Sequence, residues 1–179
     1  MKKIMCWVQC LGLVFCLLGM GSSLWAHEVS PSTDALTMEV LNQVNQYRAS
    51  RGLSALRISA AASRQARLHS SEMARHVVGF GHEGFNQRVT HLHHDIQDVQ
   101  AAAENVAYNY KTAKIVVDGW IHSPLHHRNI IGAYDLTGIG IVRDRAGKLY
   151  YTQLFVRTNE HEHGHTARHL HAHSRFFIG

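Results

Sequence analysis

Apolar residues along this chain repeat at two distinct periods, and the change from one to the other divides it. Leu36, Val40, Leu41, Val44 and Tyr47 recur at helical spacing, with Asp34 placed to cap the start and Gly52 to stop the pattern. A second helix is predicted over "AAASRQARLHSSEMARHVV", capped by Ser59 and ended by Gly79 and Gly81. Ala62, Ala66, His69 and Met73 form its stripe, so His69 belongs to the apolar face. Between 79 and 103 the pattern is less regular: "GFGHEGFNQR" reads as a loop and "HDIQDVQAAAENVAY" as the approach to a short helix. Thr112 caps a further helix, "AKIVVDGWIH", with Ile115, Val116, Gly119 and Trp120 on its packed side, and Pro124 ends it. From Leu136 the period shortens. "LTGIGIV" and "LYYTQLFV" flank "RDRAGK", which predicts a β-hairpin turning near Ala146 and Gly147 and ending at Arg157.

Helices that precede a hairpin, without alternating with strands, point to an α+β layer arrangement and not to a parallel sheet. The domain is expected over residues 34–157, after a polar linker at 27–33 and before a tail, 158–179, that has lost all periodicity and is expected to be disordered. Lys2 and Lys3, a long apolar run and "GSSLWA" make residues 1–26 a secretory signal peptide cut after Ala26, which places the protein in the periplasm or outside the cell. A membrane anchor is the competing reading of the same run; after cleavage no membrane span is expected. The three cysteines, at positions 6, 10 and 16, all lie in that segment, so the exported domain has no disulfide to rely on.

Charge adds little. Without Lys2 and Lys3 the chain carries sixteen basic residues against thirteen acids, a net charge of +3, scattered along its length. Nucleic-acid binding needs a basic patch or an aromatic platform, and the sequence displays neither. Histidine is the anomaly: there are sixteen, and His161, His163, His165, His169, His171 and His173 crowd the tail. There "HEHGH" spells the zinc-protease pattern H-E-x-x-H. That pattern works only on a helix that packs its two histidines one turn apart. Here it holds a glycine, lies beyond the last strand and has no apolar face. The tail histidines are chelators for a divalent metal such as zinc or a solvated tail that binds metal adventitiously; composition leaves both open.

A second set of candidates is dispersed: His69 in "ARLHSSEMA", Glu104 in "AAAENVAYN" and His126 in "WIHSPLHHRNII". Together with "VLNQVNQYRASRGLSAL" and "TGIGIV", these segments resemble, in order, the bacterial branch of the CAP superfamily, named for cysteine-rich secretory proteins, antigen 5 and pathogenesis-related 1 proteins. The resemblance covers about Met38 to Arg157. It implies an α-β-α sandwich with an antiparallel sheet between helical layers and a cleft holding two histidines and two glutamates. Carried over residue by residue, the histidines fall on His69 and His126, the Glu-Asn glutamate on Glu104, and the second acid near Glu83, with His82 beside it. Leu125 stands where glycine is common in the family and His127 where arginine is common.

The resemblance implies that His69 and His126 hold a divalent metal such as Zn²⁺ with Glu83 and Glu104 beside it. Two imidazoles are fewer than the three protein ligands common at catalytic zinc. Three functions stand open. One is an exported binding or envelope-interaction module, monomeric, whose ligand is a lipid, a peptide or an envelope component. Another is a metal-dependent hydrolase of peptide or cell-wall material with Glu104 or Glu83 as catalytic base. The last is a metal buffer acting through the tail.

Overall fold

The computed structural model describes residues 31–159. The signal-peptide reading of 1–26, linker residues 27–30 and the tail histidines lie outside the described residues. Helix α1, Thr33–Ser50, begins where the Ser32 hydroxyl accepts the N–H of Ala35 at 3.1 Å. The predicted cap, Asp34, instead sits in the first turn, where a carboxylate meets the positive end of the helix dipole. Asn45 on α1 both donates to and accepts from the backbone of Leu56, at 3.0 and 2.8 Å, and Gly52 takes the left-handed φ of 71° that the turn requires.

The chain then forms β1 (Arg57–Ile58), α2 (Ala60–Ala74), α3 (Phe85–Asp95), β2 (Val99–Tyr108), α4 (Ala113–His122), α5 (Pro124–Ile130), β3 (Leu136–Arg143) and β4 (Leu149–Thr158). The strands lie in the order β1-β3-β4-β2. β3, β4 and β2 are antiparallel neighbours, whereas the short β1 runs parallel to β3, so the sheet is mixed where a purely antiparallel one was expected. The parallel pair is possible because α1 and its turn deliver β1 to the edge from the opposite end of the sheet from the hairpin.

Strand alternation gives each face of the sheet its own helical layer. Ile139, Ile141, Tyr151 and Phe155 pack against Leu36, Val40 and Val44 of α1 and Val116, Val117 and Trp120 of α4. Leu154 and Val156, on the other face, meet Ala62 and Ala66 of α2 and Leu92 of α3. The result is the α-β-α sandwich of an α+β fold. The α2 layer lies unusually close to β3, and the glycines of "TGIGIV" allow it. A Cβ on Gly138 would collide with the backbone of Ala62 and Ser63, and one on Gly140 with that of Ala66 and Arg67.

A single arginine ties the other layer together. Arg48 is 1% exposed, and its guanidinium donates to the carbonyls of Ser54, Ile130, Gly132 and Tyr134 at 2.7 to 3.1 Å. Burial lowers its pKa below the usual arginine value. The forked donor set lets one side chain anchor α1 to the turn after α5, in a domain whose described residues include no cysteine.

Two elements differ from expectation. Residues 85–95, partly read as loop, form α3, and "VQAAAENVAY", read as approaching a helix, is strand β2. On α3 only Arg88 and Leu92 are buried, so a polar, histidine-rich surface hides the helical period. On β2 the alanine run is overridden by ten residues of pairing beside β4, an instance of tertiary context outweighing propensity. On α4 the Thr112 hydroxyl accepts the N–H of Ile115 as predicted, but Ile115 is 50% exposed and Val117 takes its place on the packed side. Pro124 does end α4, then serves as the first residue of α5, a position its missing N–H suits.

Strand β2 is an outer strand, and its rim is covered. The carbonyls of Glu104 and Val106, two residues apart and so on one side of the strand, accept hydrogen bonds from Asn129 Nδ2 and Trp120 Nε1, both at 3.2 Å. α4 and α5 thereby occupy the row of backbone acceptors that an added strand would use.

Candidate functional site

A cleft of about 540 Å³ opens beside β2, between the 79–84 loop and the α4–α5 corner. Phe80, Tyr108, Tyr110 and Trp120 give it aromatic walls, and His82 and His126 both face it. The Glu-Asn pair on β2 directly precedes the cleft-lining Val106 and holds two other lining residues, His82 and His126. Because adjacent strand residues point to opposite faces, Glu104 turns toward α3 and Asn105 toward α5. Asn105 donates to the carbonyl of His126 at 3.2 Å, and its own Oδ1 accepts from Asn129 at 2.8 Å, so the backbone that carries His126 is clamped to the sheet.

Glu104 is 6% exposed, and both of its oxygens are engaged. Arg88 donates through Nε to Oε2 and through Nη2 to Oε1, each at 2.8 Å, while its Nη1 reaches the carbonyl of Glu83 at 2.8 Å. His82 Nδ1 lies 2.9 Å from Oε1. Since a carboxylate only accepts, His82 carries a hydrogen on Nδ1, and in the neutral tautomer with that hydrogen the lone pair sits on Nε2. Burial lowers the pKa of His126, and the neighbouring His82 lowers it further, so its imidazole stays neutral at neutral pH.

The structure brings Glu104, His126 and His82 together, and it does not bring His69 or Glu83 to them. His69 is wholly buried in the α2 stripe, as the periodicity implied, and cannot face the cleft. Its Nε2 bonds to the Gly81 carbonyl at 2.8 Å, one residue before His82, and its Nδ1 is buried with no hydrogen-bond partner, 3.9 Å from Glu72. It pins the cleft loop in place of reaching a ligand. Glu83 is exposed and lines a hollow between α2 and α3 with Glu72, Arg88 and His91, a hollow that shares His82 with the cleft. His127 turns away toward α1, where its Nε2 meets the Tyr47 hydroxyl at 2.8 Å.

Arg88 was invisible to sequence reasoning, and His82 was named only as the neighbour of Glu83. The one available signal was the i, i+4 pair Arg88 and Leu92, the buried positions of a helix otherwise dominated by polar residues. The tail histidines His161, His163, His165, His169, His171 and His173 lie outside the described residues.

As metal donors the cleft residues form an incomplete set. Among the described residues no group of three or more histidine, cysteine, aspartate or glutamate side chains is placed to hold an ion. Two imidazoles remain, one of them backed through Nδ1 by a carboxylate, the arrangement that commonly orients a metal-binding histidine.

Order of motifs, layering and this cleft define the class. The chain belongs to the cysteine-rich secretory protein (CAP) family, whose model matches residues 41–155. It is 31% identical over 121 residues to the uncharacterized membrane protein YlbC of Bacillus subtilis (strain 168), across 66% of this chain and 34% of YlbC. The chain therefore spans about a third of the length of that relative. Among solved structures it is similar to an outer surface protein from Borrelia burgdorferi, at 18% identity and a TM-score of 0.62, over 72% of this chain and 96% of that one. It is also similar to an extracellular SCP-domain protein from Bacillus anthracis str. Ames, at 22% identity and a TM-score of 0.61, over 70% of this chain and 41% of that one. Both structural likenesses concern the fold. Among the described residues no helix is long and apolar enough to cross a membrane.

Proposed function

We propose that this protein is an exported binding module whose cleft takes a small amphiphilic ligand, with its apolar part against Phe80, Tyr108, Tyr110 and Trp120 and its polar group at His82 and His126. The observation that carries this reading is the engagement of Glu104. A general base needs a lone pair aimed at substrate, and both oxygens of this carboxylate are held by Arg88 and His82. Glu83, the other candidate base, is not among the residues lining the cleft and lies in the adjoining hollow that shares His82. Pockets of this size with aromatic walls and a few converging polar groups are typical of small-molecule sites. The outer-surface and extracellular descriptions of the two structural neighbours support placement outside the cytoplasm.

Titrating the full chain with a dansyl-labelled fatty acid tests the reading. Saturable one-to-one binding that a cleft-filling Ser123→Phe abolishes supports it. Binding indifferent to Ser123→Phe would sink it. A Glu104-dependent turnover of ester or peptide substrates would transfer the case to the hydrolase.

A second reading, a two-histidine metal site, is favoured by the His82 Nδ1 contact with Glu104, which presents Nε2 outward. When bound, a divalent ion would act as a Lewis acid toward a polar ligand group. His82 and His126 would hold it. Zinc calorimetry on the full chain and on His82→Ala with His126→Ala separates cleft from tail: stoichiometry falls by one if the cleft binds and is unchanged if only the tail does.

A further inference from the structure

One end of the domain carries an apolar tip beside a basic hollow. After α2 the chain turns through His76, whose φ is 57°, and exposes Val77 at 62% and Phe80 at 58%. A string of rings continues from this tip across β4 and β2. His76 packs edge-on to Tyr150 at 6.5 Å, Tyr150 to Tyr108 at 4.7 Å, and Tyr108 to Phe80 at 6.0 Å, with the Lys148 ammonium 5.6 Å above Tyr108. Beside it lies a hollow of about 670 Å³ between the end of α2 and the β3–β4 hairpin, lined by Arg75, His76, Arg143 and Arg145.

Among the described residues the acid lining that hollow is Asp144, and the turn itself occupies it. Its Oδ1 accepts the N–H groups of Ala146 and Lys148 at 2.9 and 2.8 Å. Arg143 also serves the turn, donating to the Gly147 carbonyl at 2.9 Å. Three permanent cations, Arg75, Arg145 and Lys148, thus lie beside the two exposed apolar side chains.

We propose that this end docks on an anionic lipid bilayer, with Val77 and Phe80 entering the interface and the arginines and Lys148 lying at headgroup level. Charge complementarity selects a lipid surface as the occupant. Apolar side chains next to a group of cations match the boundary of an anionic membrane, where each basic residue close to the surface strengthens binding about fivefold and buried apolar area adds to it. A soluble polyanion would use the cations and leave Val77 and Phe80 in water. Phe80 also lines the cleft, so docking would place the cleft mouth at the bilayer, from which a lipid-derived ligand could enter. The docking itself does not depend on what the cleft binds.

The test is cosedimentation of the full chain with phosphatidylcholine vesicles doped with phosphatidylglycerol, against phosphatidylcholine alone. Preference for the doped vesicles, weakening as salt rises, is expected. Arg75→Ser with Arg145→Ser should weaken binding about 25-fold, and Val77→Ser with Phe80→Ser should weaken it separately. All four positions are exposed, and circular dichroism verifies that each variant is folded. Equal binding to both vesicle types, no binding to the doped ones, or unchanged binding by the arginine variant overturns the proposal. So does binding lost with the arginines but untouched by the Val77 and Phe80 changes, which would reduce the surface to a general polyanion site.

Discussion

Arg88 closes on Glu104 as a fork, two nitrogens to two oxygens at 2.8 Å each, with side chains 6% and 2% exposed. A buried pair of this kind is costly to break from one side, because the survivor is left charged and without its partner. Arg88→Met should therefore destabilise the domain by about 3 kcal/mol or more, while Arg88→Met with Glu104→Gln should recover much of the loss. Urea midpoints of the two single variants and the double variant measure this directly. A double-variant loss equal to the sum of the two single losses would mean that the pair is energetically idle.

Arg48 offers a second case, since its buried guanidinium satisfies four carbonyls at once. Arg48→Met should cost about 4 kcal/mol. Arg48→Lys should restore little of it, because an ammonium cannot span carbonyls on both sides of a planar fork. Thermal unfolding of the two variants checks the prediction, and a lysine variant as stable as the native chain would contradict it.

Gly140→Ala tests the close approach of α2 to the sheet. The obstacle is helix backbone, which cannot rotate aside as a side chain can. A loss of about 3 kcal/mol is expected, visible as a lowered melting temperature, whereas Gly79→Ala, with nothing near its Cβ position, should change stability little.

The buried Tyr151 phenol donates to the Tyr110 carbonyl at 2.8 Å, and burial pushes its pKa from 10.0 up to about 12. The folded value lies above the unfolded one. Its contribution to stability is therefore complete below about 10 and is lost as pH rises from there toward about 12. Denaturant midpoints across that alkaline window should fall less steeply in Tyr151→Phe than in the native chain. Tyr134 and Tyr150, also raised chiefly by burial, should keep part of the slope.

His69 should act on the cleft only through its loop. His69→Phe keeps the core filled but removes the donor to the Gly81 carbonyl, so amide exchange of residues 79–84 should rise while the rest of α2 stays protected. Unchanged exchange in that loop would show that the hydrogen bond does not hold it.

How much of this could be read from the sequence depended on where each side chain's constraint lay. Caps at Ser59 and Thr112, the apolar faces of α1 and α2, and the hairpin follow from local periodicity and turn chemistry, and all are present. β2 and α3 were not legible, because their identity rests on long-range partners. An alanine run becomes a strand only once β4 lies beside it, and Arg88 becomes an inward residue only once Glu104 is there to receive it. His69 illustrates the converse. Its place on the apolar face was read correctly from spacing, and that same burial removes it from the cleft to which the family resemblance assigned it. His82 lies on a glycine-rich loop where no period operates, so only three-dimensional proximity to Glu104 reveals it.

The donors that cover the rim of β2 come from the same corner that shapes the cleft: Trp120 is one of its walls, and Asn129 holds Asn105, which in turn holds the backbone of the cleft-lining His126. Evolution or engineering of ligand preference at those two positions would strip cover from an outer strand, and new specificity would come with self-association through that strand. Divergence in this site should therefore concentrate on Phe80, Tyr108, Tyr110 and Ser123, which can change without baring the sheet.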